Sequence, residues 1–128
     1  MIKEVRHIGI VVTNMENSLK FYRDQLGLKI IKDMDEQGNY LDNMLSLNDV
    51  RVRTVKLSAN ENTTLVELLE FESHNDNKIR NFYTIGASHV AFTVDDIEKL
   101  YMDLSEKNIK FNATPQKSPD GLVKVTFC

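Results

Sequence analysis

Residues 5–12 read Val-Arg-His-Ile-Gly-Ile-Val-Val and are followed over 13–27 by Thr-Asn-Met-Glu-Asn-Ser-Leu-Lys-Phe-Tyr-Arg-Asp-Gln-Leu-Gly. The first run is β-branched and bounded by Thr-Asn, which predicts a buried strand. A helix is predicted directly after it. Thr13 or Asn14 can cap it, Glu16 stands three after Thr13 as in a capping box, and Met15, Leu19, Tyr22 and Leu26 recur at helical spacing until Gly27. Residues 87–94, Ala-Ser-His-Val-Ala-Phe-Thr-Val, repeat the pattern: Asp95 with Glu98 opens a helix whose Ile97, Leu100, Tyr101 and Leu104 form one stripe. His7 and His89 are 82 positions apart, and at that offset strand, cap and helix fall into register. Self-similarity at a fixed offset predicts two units of like fold.

Outward from these two stretches, strand composition recurs at Leu28–Met34, Arg51–Ser58 and Thr64–Phe71, then at Lys110–Ala113 and Leu122–Phe127. The first half therefore reads β-α-β-β-β and the second β-α-β-β, so the chain ends one strand short. Eighteen residues from Asp33 to Val50 are too many for a structureless loop. Tyr40, Leu41, Met44 and Leu45 predict a short helix there, either a lid or a surface excursion that packs Leu41 and Leu45 on the core. We read a single α+β domain over 1–128, with a first module of about 1–72, a polar linker of about 73–86 and an incomplete second module of about 87–128.

With 41% hydrophobic and 27% charged residues, five Gly and two Pro, the composition excludes disordered and fibrous chains. Sixteen basic residues against nineteen acidic leave a net charge of −3, with the basic residues scattered, which argues against a nucleic-acid partner. No apolar run approaches the ~20 residues of a membrane span, and Glu4 stands where a secretory signal would begin, so no membrane partner and a cytoplasmic location are expected. Cys128 is the sole cysteine and the last residue, which rules out an intramolecular disulfide and a cysteine cluster for zinc.

Strand alternation puts His7 on one face with Val5, Gly9 and Val11, and His89 on one face with Ala87, Ala91 and Thr93. Small neighbours leave room for a ligand beside each imidazole. Glu67 shares a face with Leu65, Leu69 and Phe71, and a carboxylate buried in such company protonates, finds a partner or binds a metal. Imidazole and carboxylate together suit a borderline divalent ion, and three protein ligands leave positions open for substrate. Arg51 and Arg53, on the face of Val55 and Leu57, are candidates to contact an anionic substrate tail.

The segments His7–Leu28, Leu65–Phe71 and Ser88–Ile97 resemble the vicinal oxygen chelate superfamily, which includes glyoxalase I, methylmalonyl-CoA epimerase, extradiol dioxygenases and the fosfomycin and bleomycin resistance proteins. The resemblance covers nearly the whole chain. It implies two tandem βαβββ modules whose curved mixed sheets form a cup around one divalent ion, zinc, nickel, cobalt, manganese or iron. Carried over by position, His7, Glu67 and His89 match three metal ligands, and Glu67 is the one retained carboxylate for the catalytic base. The family's fourth ligand, a Glu on the eighth strand, has no counterpart before Cys128, so the 128 residues are expected to be a fragment, or a partner chain to supply the strand. The implied activity is that of a glyoxalase-like isomerase or lyase. It would transfer a proton next to the carbonyl of a small oxo-acid, thiol adduct or acyl-CoA, in a homodimer with a small-molecule substrate. Alternatives are a resistance-type protein that binds or modifies a small molecule, and a non-catalytic domain with structural histidines.

Overall fold

The computed structural model describes the chain except for residues 62, 75, 77, 79, 80, 82, 87 and 88. Two compact units are present, Met1–Ser88 and His89–Cys128. The first is built on a mixed sheet in the order β1-β4-β3-β2, with β1 His7–Val11, β2 Lys29–Gln37, β3 Arg51–Ser58 and β4 Leu65–Phe71. β1 runs parallel to β4, and β3 is antiparallel to both of its neighbours.

A helix covers one face of this sheet because Met15 and Leu19 project from it at a spacing of four. Both are about 1% exposed and pack with Leu28, Val55, Leu57, Val66 and Leu68, while Tyr22 and Leu26 close the edge. Only α1, Met15–Leu19, is α-helical; Lys20–Gln25 continues in a wider π-helical turn. Asn14, not Thr13, is the cap, its Oδ1 accepting from the Asn17 amide at 2.9 Å. The capping box expected from Thr13 and Glu16 does not form, because the Glu16 carboxylate accepts from Arg53 Nη1 at 2.7 Å instead. Asn14→Ala is therefore expected to cost about 1 kcal/mol of stability, read from the urea midpoint, whereas Thr13→Ala should change it little.

The segment between β2 and β3 folds as packing, not as a free lid. Helix α2, Asn39–Leu45, buries Leu41 with Val50 and Val52 against Leu69 and Phe71. Asp42 fixes its return by accepting from the amides of Asp49 at 3.1 Å and Val50 at 2.9 Å. Leu45, expected to pack as well, is 38% exposed.

The second unit contains α3, Ile97–Glu106, and a hairpin of β5, Gln116–Lys117, with β6, Lys124–Val125. Asp96 rather than Asp95 caps α3, accepting from the Lys99 amide at 2.8 Å, while Glu98 turns to Lys124. The strand predicted over 87–94 is not paired in a ladder at 89–94, and Ala87 and Ser88 lie outside the described residues. Strand composition needs a hydrogen-bonding neighbour, and the two-residue strands of this unit pair with each other. For the same reason Lys110–Ala113 forms no strand, and the predicted strand over Leu122–Phe127 contracts to Lys124–Val125. Among the described residues no helix is long and apolar enough to cross a membrane.

Candidate functional site

β3 and β4 alternate strictly, so one face carries Val55, Leu57, Val66 and Leu68 under the helix and the other carries Lys56 and Glu67. β1 follows the same division, with Ile8 and Ile10 half-buried toward the helix and His7, Gly9 and Val11 exposed on the opposite face. His7 and Glu67 therefore emerge on the same side of adjacent parallel strands, where Gly9 stands directly opposite Glu67.

Glu67 is 9% exposed and does not stand alone. Its Oε2 is 3.1 Å from His7 Nε2, and its Oε1 is 3.2 Å from Lys56 Nζ. Burying a carboxylate is tolerable only when it is paired, and here each oxygen has a nitrogen partner. Two donors about 2.0–2.2 Å from one ion at angles of about 90–110° lie about 2.8–3.6 Å apart, so the separation of Nε2 and Oε2 suits two ligands of a shared ion. Among the described residues no group of three or more His, Cys, Asp or Glu side chains gathers at a metal-binding distance. His89 belongs to the second unit, where its ring meets Phe127 edge-on at 5.5 Å.

Sequence reasoning missed Lys56. Alternation along β3 separates it from Arg53 and Val55, but that it faces Glu67 depends on the β3/β4 register, which is not written in either strand alone. The arginines proved to be elsewhere. Arg53 lies on the helix-covered face, clamped by Asp33 through contacts of 3.0 and 2.8 Å and by Glu16, and Arg51 pairs with Glu72 at 3.6 Å. Neither shares the face of Glu67.

The Arg53 guanidinium holds the Asp33 carboxyl below the usual carboxylate range, against an opposing effect of burial. A depressed folded-state pKa stabilises the fold above the unfolded value and loses that contribution as pH falls through the folded value. Asp33→Asn should cost about 1 kcal/mol or less at pH 7, since the pair is partly exposed. The gap to the parent protein should close below the ordinary carboxylate range, as checked by urea unfolding across pH.

Residues 4–127 match the Glyoxalase/Bleomycin resistance protein/Dioxygenase superfamily, and the chain belongs to it. The uncharacterized protein YwkD of Bacillus subtilis (strain 168) is 32% identical over 113 residues, which are 86% of this chain and 76% of that protein. A glyoxalase family protein from Bacillus cereus has a similar fold, with a TM-score of 0.71 at 18% identity over 88% of this chain and 77% of the other. The trypanothione-dependent glyoxalase I of Leishmania major gives 0.67 at 20% identity, covering 98% of this chain and 78% of that one. These structures share the α+β fold of this chain.

Proposed function

We propose that the chain is a metal-dependent isomerase or lyase of the glyoxalase type, acting next to a carbonyl of a small substrate, and that His7 and Glu67 hold the ion. The observation that carries the proposal is the 3.1 Å approach of His7 Nε2 to Glu67 Oε2 on the sheet face opposite α1. The second unit is, on this reading, the second module, and the native protein is a homodimer. A divalent ion in such a site supplies Lewis-acid polarisation of the substrate oxygens and a stabilising charge for the electrons left by the departing proton. Glu67 is the proton acceptor. Lys56 Nζ, 3.2 Å from Oε1, orients the carboxylate. His7 Nε2, 3.1 Å from Oε2, would hold the ion beside the carboxylate.

The test is metal content per chain, by mass spectrometry on tag-free protein incubated with zinc, nickel or manganese. About one ion per chain is expected, lost in His7→Ala. Retention of the ion in that variant, or no ion in the parent protein, contradicts the proposal and leaves His7 as a structural partner of Glu67.

A further inference from the structure

One row of residues crosses all four strands of the first unit on the face opposite α1. Lys32 of β2 stands opposite Lys56 of β3, Lys56 opposite Glu67 of β4, and Glu67 opposite Gly9 of β1. Residues directly opposed in a ladder project from the same side of the sheet. Lys32 reaches that side because of an irregularity in register. Ile30 pairs with Leu57 and Lys32 with Lys56, so Ile31 is the extra residue of a bulge. In uninterrupted alternation Lys32 would share the side of Ile30 and face the helix. Bulges that redirect a side chain are concentrated beside functional sites.

Two ammonium groups are thus opposed across an antiparallel pair, an arrangement that is destabilising in itself. Glu67 compensates only one of them: Lys56 Nζ is 3.2 Å from its Oε1, whereas Lys32 is exposed and has no carboxylate partner among the described residues. An anion bound between the lysines would remove the repulsion. At the opposite end of the row a Cβ at Gly9 would lie 3.3 Å from Leu69 Cδ1 and 3.9 Å from Glu67 Oε2, so a side chain there would crowd Leu69.

We infer that Lys32 and Lys56 form a carboxylate subsite beside Glu67, and hence that the substrate is an oxo-acid with its carboxylate next to the reacting carbonyl. The inference rests on the proposed reaction at Glu67 and narrows its substrate class. Lys56 already sits at charge-assisted distance from one carboxylate, and an ammonium has three donors, so a second carboxylate can share it. Neutral thiol adducts have no group for this pair of charges.

The test titrates the full chain with pyruvate and with its uncharged amide, pyruvamide, followed by protein amide shifts in NMR. The parent protein should prefer pyruvate by about tenfold or more. Lys32→Met and Lys56→Met should each remove most of that preference, Lys32→Arg should keep it, and Lys20→Met, on the helical surface, should leave it unchanged. Because Lys32 is exposed, its variant reads the subsite even if Lys56→Met disturbs the fold. Equal affinity for acid and amide, binding of neither, or an unchanged preference in Lys32→Met overturns the subsite. Metal content of the same samples separates the two claims. A preference without bound metal contradicts the metal-dependent reading and supports the subsite, and bound metal without a preference does the reverse.

Discussion

Glu67→Gln should abolish function while leaving the first unit folded. Glutamine keeps the shape of the side chain and an oxygen for Lys56, but it cannot accept a proton at neutral pH and is a weaker ligand for a divalent ion. Loss of a positioned general base costs about 10²- to 10⁴-fold in rate, and metal affinity should fall by about 100-fold or more, since even removing an outer partner of a ligand costs about 10- to 100-fold. Solvent-deuterium exchange into pyruvate and zinc titration read the two effects separately. Glu67→Ala should in addition destabilise the unit, because Lys56, whose side chain is 25% exposed, would lose its counter-charge.

The largest loss of stability is expected from Leu57→Ala. Leu57 is fully buried between β3 and the helix, among Met15, Leu19, Leu28 and Leu68. Truncation removes three side-chain carbons from a site whose walls are strands and a capped helix, so collapse is limited, and the cost should be about 2–5 kcal/mol. Equilibrium unfolding in urea reads it as a lower midpoint. Leu45→Ala, at a residue 38% exposed, should change stability by about 0.5 kcal/mol or less. A similar loss at both positions would contradict the packing described for α2.

Much of the first unit was legible because its periodicities are strong. Val55 and Leu57 mark the helix-covered face of Arg51–Ser58, and Met15 and Leu19 mark the helix stripe. The same alternation placed His7 and Glu67 on consistent faces of their strands, and the parallel β1/β4 pairing brought them together. Three things escaped. Pairing across strands is set by register, so the contact of Lys56 with Glu67 had no local signal. The bulge at Ile31 reverses the parity of β2, which turns Lys32 toward Glu67 and Asp33 toward Arg53. Caps compete with tertiary partners, so Glu16 left its expected box for Arg53. In the second unit the composition of His89–Val94 is that of a strand, but a strand is a relation between two segments, and its sequence names only one.

The central claim is that one ion is held by His7 and Glu67 of the first unit. Zinc K-edge X-ray absorption on the zinc-loaded protein tests it most directly. Imidazole nitrogen and carboxylate oxygen around zinc at about 2.0–2.2 Å are expected, with the imidazole contribution reduced in His7→Ala. Zinc with no imidazole scattering, or an unchanged spectrum in His7→Ala, would contradict it.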